Sequence, residues 1–155
     1  MKIEEVGRDR DALARSILED LPDWFGRKDA REDFIQAAAK LPMLAAMDVD
    51  GKPVGFLSVK EHTSVAAEAY VLGVVRRRHR QGIGRALFDH AERQLATRGF
   101  RYLTVKTLAA SHPDPNYAAT RRFYEAIGFE PLEVFPTLWG SDNPCLLMVK
   151  VLRLA

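Results

Sequence analysis

The chain has 155 residues, 47% of them hydrophobic and 28% charged, with a formal net charge of +2. This balance is typical of one globular domain and excludes a disordered chain, and the near-neutral charge argues against nucleic acid as the partner. The single cysteine, Cys145, excludes an internal disulfide, and no apolar run approaches the ~18 residues that cross a bilayer. The N-terminus "MKIEEVGRDRD" does not look like a signal peptide. We therefore expect one cytoplasmic domain over residues 1–155.

The first half of the chain predicts two helices and a hairpin. Leu13, Ile17 and Leu21 recur at four-residue spacing, which is typical of an amphipathic helix, and the Asp50–Gly51 turn between two apolar runs predicts a hairpin. The elements expected here are a strand at 2–6, helices at 9–20 and 29–40 (the second with Phe34, Ala37 and Ala38 on one face), and strands at 43–49 and 54–60.

The second half alternates strands and helices. The expected elements are strands at 66–75, 101–108, 132–138 and 145–152, and helices at 83–98 and 117–127 (the last with Ala119, Phe123 and Ile127 on one face). Such alternation favours parallel strand pairing, whereas the hairpin favours antiparallel pairing. The prediction is therefore an α/β domain with a mixed sheet and helices on both faces.

The stretch "HRQGIGRAL", residues 79–87, places two glycines at the start of a predicted helix. Glycine costs about 1 kcal/mol against alanine inside a helix. The free N–H groups of a helix N-terminus bind anions, and a missing Cβ lets a phosphate approach them. Five arginines surround the stretch: Arg76, Arg77, Arg78, Arg80 and Arg85. The pattern favours a phosphate site, and the alternative is a glycine-rich turn whose arginines face solvent.

Two well-known phosphate motifs fit this stretch poorly. A P-loop needs a lysine and a hydroxyl residue after its last glycine, and neither follows Gly84. A dinucleotide fingerprint needs a third glycine in a first βαβ unit, but "GIGRAL" offers alanine and lies in the middle of the chain.

Two segments together resemble the GNAT superfamily of acetyl-CoA-dependent N-acyltransferases. "VLGVVRRRHRQGIGRALFDHA" is similar to its motif A, and "TRRFYEAIGF" (120–129) is similar to its motif B helix. The order of predicted elements also resembles the family fold along the whole chain. One departure is His79, where the motif has Gln or Arg. The resemblance implies a twisted, mostly antiparallel sheet of about seven strands, acetyl-CoA as co-substrate, and no metal.

The resemblance also implies which residues hold the cofactor. The backbone of Leu72, Gly73 and Val74 would bind the pantetheine arm, and the Val74 N–H would polarise the thioester carbonyl. The residues implied for the pyrophosphate are Arg80, Gln81, Gly82, Ile83, Gly84 and Arg85. Many members carry an asparagine seven residues before the motif B tyrosine; here Tyr117 has that position and Asn116 precedes it.

Acetyl transfer to an amine needs a proton donor for the leaving thiolate and a base for the ammonium. Tyr124, about 100° around its helix from Phe123, matches the usual general acid of the family. Glu68 on the motif A strand lies where some members carry a catalytic glutamate. Both assignments compete with structural roles, namely a half-buried core tyrosine and a solvent-facing strand glutamate.

Other residues could supply the base in place of Glu68. Some family members place a glutamate on the next strand, where this chain has Lys106, which cannot serve unless it is strongly desolvated. His62 and His112, on loops, are alternative bases, although both are more commonly surface residues. We expect Cys145 to be a small buried residue rather than a nucleophile.

Two tryptophans are candidates for acceptor binding. Trp24 lies between the first two helices and Trp139 between the last two strands. In the family these connections flank the end of the cleft opposite the cofactor phosphates, where the acceptor enters. A tryptophan there could bind an amine by apolar contact and cation–π attraction, helped by the charge of Asp23 or Asp142. The alternative for each tryptophan is core packing.

The function expected from these observations is transfer of an acetyl group from acetyl-CoA to a primary amine by direct attack in a ternary complex. The acceptor would be a small-molecule amine or a protein amine, with neither nucleic acid nor a membrane as partner. Because the family often forms dimers, a homodimer is compatible with the sequence. The alternative is a catalytically silent acyl-CoA-binding sensor or regulatory module, which would not need Tyr124.

Overall fold

A single seven-stranded sheet forms the centre of the computed structural model, which describes residues 1–153. The elements are, in chain order, β1 (Lys2–Glu5), α1 (Arg10–Leu18), α2 (Lys28–Lys40), β2 (Met43–Met47), β3 (Pro53–Glu61), β4 (Ala66–Val74), a 3₁₀ turn (Arg76–Arg78), α3 (Ile83–Thr97), β5 (Tyr102–Leu108), α4 (Pro115–Ala126), β6 (Glu130–Phe135) and β7 (Cys145–Val151). No helix within the described residues is long and apolar enough to cross a membrane.

The strands are arranged in the order β1-β2-β3-β4-β5-β7-β6. Every neighbouring pair is antiparallel except β4 and β5, which are parallel. The predicted fold class is therefore confirmed, including the mixed sheet and the order of elements. The ends of the elements move by a few residues. Helix α4, for example, begins at Pro115 because the Asp114 side chain accepts hydrogen bonds from the N–H groups of Asn116 and Tyr117.

The hydrophobic periodicity of the sequence predicted the positions of the helices more accurately than it predicted which of their residues are buried. In α4 the predicted face is only partly correct: Ala119 is exposed, whereas Tyr124 is buried and only 7% exposed. In α2 the fully buried residues are Ile35 and Ala38, and Phe34 is half-buried.

The parallel pair β4–β5 is hydrogen-bonded over only three residues of each strand. Ala66–Glu68 pairs with Tyr102–Thr104, and no further pairs continue along the two strands. By contrast, β4 stays paired with β3 as far as Val74, and β5 stays paired with β7 as far as Leu108. The sheet therefore splits between its two central strands, and a wedge-shaped gap opens from Glu68 towards the ends of β4 and β5.

We predict that Gly73→Ala destabilises the protein. A Cβ at this position would lie 3.0 Å from Ile17 Cγ2, 3.2 Å from Leu18 Cδ2 and 3.2 Å from Phe56 Cε1. These side chains are buried, and overpacking a core costs about 1–3 kcal/mol. Urea denaturation should report a loss of that size. Gly7→Ala, whose Cβ meets nothing within 4 Å, is the control and should not lower the free energy of unfolding. Equal stability of the two variants would contradict the prediction.

Candidate active site

The edge of β4 that lines the gap carries backbone groups without strand partners. The Val75 N–H donates to the Val54 carbonyl at 2.9 Å, and Val74 lies opposite Gly55. In an antiparallel ladder this arrangement turns the N–H and C=O of Val74 away from β3. The two-residue period turns the backbone groups of Leu72 to the same side, whereas those of Gly73 bond to β3. Of the three predicted pantetheine contacts, Leu72 and Val74 thus have backbone groups directed into the gap.

The facing edge of β5 has the same property. The Ala109 N–H donates to the Pro144 carbonyl at 2.9 Å, and Leu108 lies opposite Cys145. By the same alternation, the backbone groups of Leu108 and Lys106 point away from β7 and into the gap. The gap is therefore lined by peptide N–H and C=O groups from both strands.

Two side chains satisfy the last carbonyl on each side of the gap. His79 Nε2 lies 2.6 Å from the Val74 carbonyl oxygen, and Arg121 donates from NH1 to the Leu108 carbonyl oxygen at 2.7 Å. The Val74 N–H is left available, as the family resemblance requires. His79 is thus more than a departure from motif A, because it fixes the end of β4. Neither contact was foreseen from the sequence.

The loop before α3 owes its two glycines to different causes. Gly82 has a φ of 79°, which is the left-handed region, and a Cβ there would meet nothing within 4 Å. Gly84 instead allows close packing, because its Cβ would lie 3.0 Å from Cζ of the Phe123 ring in α4. Only Gly82 therefore presents open space to a ligand, and the expectation that both glycines admit a phosphate is corrected for Gly84.

The arginines of this loop divide into two groups. Arg76 is held by the α1–α2 loop: its N–H donates to Asp20 Oδ2 at 2.8 Å, and its NH2 donates to Asp23 Oδ2 at 2.7 Å. Within residues 1–153, by contrast, no salt bridge involves Arg77, Arg80 or Arg85, which are exposed. The second group leaves positive charge available to an anion beside Gly82.

Trp24 packs against the predicted phosphate loop. Its ring meets the His79 ring edge-on at 5.4 Å between centroids, and its Nε1 donates to Thr120 Oγ1 at 3.3 Å. Tyr117 donates its hydroxyl proton to the Trp24 carbonyl at 2.7 Å. Trp24 therefore lies on the phosphate side of the gap, which corrects the location expected for it, and Asp23 is already paired with Arg76.

Trp139 lies in the β6–β7 loop and is half-buried. Its carbonyl accepts a hydrogen bond from the Asn143 amide at 3.4 Å. Asp142 in the same loop is exposed. The loop leads into β7, whose first residue, Cys145, pairs with Leu108 at the end of β5.

Glu68 lies at the apex of the gap and is buried, with a side chain only 4% exposed. It forms the last pair of β4 with β5, opposite Thr104. Its carboxylate accepts hydrogen bonds from Lys106 Nζ at 3.2 and 3.3 Å and lies 2.7 Å from His62 Nε2. The sequence analysis considered Glu68, His62 and Lys106 separately as candidate bases. In the structure the three side chains are in contact. His62 precedes Glu68 by six residues across a tight turn, a spacing that could have indicated the contact.

Tyr124 is a buried residue of α4 and lies within an aromatic cluster. Its ring is 6.0 Å from that of Phe88, 5.7 Å from that of Phe129 and 5.6 Å from that of Phe123. Burial raises the pKa of the Tyr124 phenol well above its ordinary value, and nearby Tyr117 raises it further. The phenol is therefore a neutral hydrogen-bond donor at neutral pH.

Asn116 and His112 belong to the segment that leads into α4. The Asn116 carbonyl accepts a hydrogen bond from Thr120 Oγ1 at 3.1 Å, and Tyr117 occupies the position seven residues before Tyr124. His112 is half-buried, and its Nδ1 has no hydrogen-bond partner among the described residues. His112 is not among the groups that contact Glu68, so the cluster at the apex contains only one of the two candidate histidines.

A family model and solved structures are similar to this chain. The model for the acetyltransferase (GNAT) domain matches residues 43–131. A GNAT-family protein from Desulfovibrio desulfuricans superposes with a TM-score of 0.81 at 20% identity, covering 98% of this chain and 99% of its own. No curated protein sequence matches this chain significantly.

Two neighbours carry more specific names. Aminoglycoside 6'-acetyltransferase type Ii has a TM-score of 0.75 at 25% identity, with 100% of this chain and 99% of that chain covered. An aminoglycoside 6'-N-acetyltransferase complexed with coenzyme A has a TM-score of 0.74 at 21% identity, with the same coverage. Since the family model spans more than half of the sequence, this chain belongs to the GNAT family and is an acetyltransferase.

We predict that Cys145 resists thiol reagents in the native protein. The residue is fully buried, and burial raises the pKa of its thiol to about 11, with a smaller lowering by Lys106 and a smaller raising by Glu68. A thiol that is neutral at pH 8 reacts slowly, because the thiolate is the nucleophile. A disulfide reagent at pH 8 should therefore label the unfolded chain much faster than the native one.

The sign of the pH effect follows from the raised pKa. The folded state holds the thiol proton more tightly, so this contribution to stability is present at neutral pH and is lost as the pH rises from about 9 towards 11. Cys145→Ala is the control, because it removes the only thiol of the chain and should abolish labelling. Rapid labelling of the native protein at pH 8 would contradict the buried, protonated state.

Proposed function

We propose that this protein transfers an acetyl group from acetyl-CoA to a primary amine by direct attack in a ternary complex. The observation that carries the proposal is the gap between β4 and β5, lined by backbone groups and closed at its apex by Glu68. A linear amide-containing chain fits such a gap because it can replace the missing strand pairing. The coenzyme A bound to one structural neighbour supports the donor.

The residues present fit the pantetheine and pyrophosphate of acetyl-CoA. In the proposal, the backbone of Leu72 and the Val74 N–H bond the pantetheine arm, with Gly73 holding β4 to β3 between them. The open space at Gly82 and the N-terminus of α3 receive the pyrophosphate, together with the backbone of Arg80, Gln81, Ile83, Gly84 and Arg85. When bound, acetyl-CoA supplies a thioester carbonyl that the amine attacks.

Glu68 is the proposed base. A buried carboxylate at the apex can take the proton of the acceptor ammonium, directly or through one water, and so leave a neutral amine able to attack. The Val74 N–H, free of β3, is the proposed donor to the developing oxyanion. Lys106 donates a hydrogen bond to Glu68 and is not itself the proposed base.

Tyr124 is the proposed general acid, assisting the leaving sulfur. Its phenol holds its proton, so it can donate a hydrogen bond as negative charge grows on sulfur. Because burial raises the pKa of the phenol, complete transfer of the proton to a thiolate is less favourable than this hydrogen bond. The proposal therefore rests mainly on stabilisation of the departing thiolate.

The acceptor is proposed to be a small-molecule amine or a protein amine, and its approach is proposed to involve Trp139. The structural neighbours include an aminoglycoside acetyltransferase and the ribosomal-protein-S18-alanine N-acetyltransferase from Escherichia coli, and these two names cover both chemical classes. Trp24 is not part of the proposed acceptor site; it is proposed to support the phosphate loop through its packing on His79. Asn116 is proposed to lie beside the cofactor in the first turn of α4, where its N–H donates to Asp114 Oδ1.

The proposal is tested by measuring the coenzyme A that the protein releases from acetyl-CoA in the presence of each amine of a panel. The panel should contain polyamines, amino acids and their amides, aminoglycosides and peptides with free N-termini. Amine-dependent release with an acetylated product, identified by mass spectrometry, is expected for at least one class. Tight binding of acetyl-CoA without release across the panel would instead favour a silent acyl-CoA-binding module.

We predict that Gly82→Val abolishes the binding of acetyl-CoA. Gly82 has a positive φ and faces open space, so valine adds both strain and bulk where the pyrophosphate is proposed to lie. Gly99→Val is the matched control, because Gly99 also has a positive φ and open surroundings but follows the opposite end of α3. Calorimetry should find lost affinity only in Gly82→Val. Equal affinities in the two variants would refute this phosphate site.

We predict that Tyr124→Phe lowers kcat by about 10²-fold, the lower end of typical acid–base contributions, with little change in the affinity for acetyl-CoA. Phenylalanine keeps the ring contacts with Phe88 and Phe129 and removes only the donor. Tyr102→Phe, at an exposed position of β5, is the control. An unchanged chemical rate in single-turnover experiments would remove Tyr124 from the mechanism.

A further inference from the structure

We propose that His62 carries the proton taken by Glu68 out to solvent. His62 Nε2 is 2.7 Å from Glu68 Oε1, and the two side chains differ sharply in exposure, 40% for His62 and 4% for Glu68. The inference rests on the proposed function, in which Glu68 accepts one proton in each turnover. A buried carboxyl group must lose that proton before the next acceptor can be deprotonated.

His62 is held against Glu68 by the turn that joins β3 to β4. The N–H groups of His62 and Thr63 both donate to the Ala66 carbonyl, at 3.0 and 3.2 Å. The Thr63 hydroxyl oxygen in turn accepts from the N–H groups of Val65 and Ala66, at 3.2 and 3.0 Å. The His62 imidazole therefore belongs to a hydrogen-bonded turn. Its Nε2 contacts the Glu68 carboxylate, and part of the ring is exposed to solvent.

Charged and titratable groups face Glu68 from each neighbouring element. Lys106 contacts it from β5, and Lys60 is its register partner on β3, with Nζ 5.3 Å from the centre of the Tyr70 ring. From β7, Cys145 is a buried thiol whose pKa is raised to about 11. An ammonium group cannot accept a proton, and a neutral thiol is a poor acceptor. Among these groups, the imidazole is the one suited to receive the proton from Glu68.

The proton balance of the proposed step is complete. Glu68 gains a proton from the acceptor ammonium and becomes a carboxylic acid. It passes that proton from Oε1 to Nε2 of the imidazole, in the tautomer that carries its hydrogen on Nδ1. The resulting imidazolium loses its Nδ1 proton to bulk water, Glu68 is a carboxylate again, and the ring returns to the Nδ1–H tautomer by exchange with solvent. Imidazole is suited to this exchange because its protonation ordinarily changes between pH 5 and 8. No group is oxidised or reduced, and the net result is one proton released to solvent.

The test compares two substitutions of His62. His62→Gln keeps an amide donor that can hydrogen-bond to Glu68 but cannot carry a proton, whereas His62→Ala removes both properties and leaves space for a small molecule. If His62 acts as a proton carrier, both variants should lower kcat by about 10-fold or more, a part of the usual acid–base contribution, with unchanged affinity for acetyl-CoA. Added imidazole should restore the kcat of His62→Ala in proportion to the concentration of its neutral form.

The result that overturns the proposal is a His62→Gln variant as active as the unsubstituted protein, because His62 would then only hold Glu68 in position. Absence of rescue of His62→Ala by imidazole, with the melting temperature unchanged, would also overturn it. His90→Gln is the matched control, because His90 lies on α3, away from Glu68, and should leave kcat and its pH dependence unaffected.

A third variant separates failure of this inference from failure of the proposed function. Glu68→Gln should be slow and should not respond to imidazole, because the group that takes the proton is gone. If Glu68→Gln is slow while His62→Gln is fully active, Glu68 remains the base and the exit through His62 is wrong. If Glu68→Gln is fully active, the assignment of the base fails, and the inference about His62 fails with it.

Discussion

The early end of hydrogen bonding between β4 and β5 is the constraint on which the site depends. Three residues of each strand pair, and beyond Glu68 two neighbouring edges expose peptide groups to a gap inside the sheet. Leaving a buried polar group without a partner costs about 1–3 kcal/mol, so a split in a sheet must be stabilised. His79 and Arg121 do so for the carbonyls of Val74 and Leu108, one on each side.

The same split explains the charges at its apex. Burying a lone carboxylate is costly unless it is paired and hydrogen-bonded. Glu68 meets this condition through Lys106 on β5 and His62 in the β3–β4 turn. In the proposed function, the hydrogen bonds that stabilise the buried Glu68 are also the contacts through which its proton is exchanged.

Local patterns were sufficient to predict the order of strands and helices, because hydrophobic periodicity and turn residues act within short segments. The gap was not predictable in this way, since it depends on where two strands, whose paired residues are 36 positions apart in the sequence, stop pairing. The resemblance to motif A named Leu72, Gly73 and Val74, but only the register with β3 separates Gly73 from the other two.

The expectations for Gly84 and Trp24 were wrong for the same reason, which is packing between segments distant in the sequence. Gly84 was attributed to a phosphate, yet its neighbour is Phe123, almost forty positions along the chain. Trp24 was expected at the far end of the cleft, yet it packs on His79 and bonds to Thr120. In each case the contact that explains the residue lies in a distant segment of the chain. Composition and spacing carry no information about such contacts.

In the proposed function the gap binds acetyl-CoA through peptide groups, and this has a consequence for divergence. Every residue has an N–H and a C=O except proline, which lacks the N–H, so side chains along β4 and β5 can be exchanged without removing these groups. The TM-score of 0.81 at 20% identity shows that this architecture is retained while most of the sequence changes. On the proposed function, substitutions of the few side chains at the apex would change how the acceptor is deprotonated before they changed the binding of acetyl-CoA.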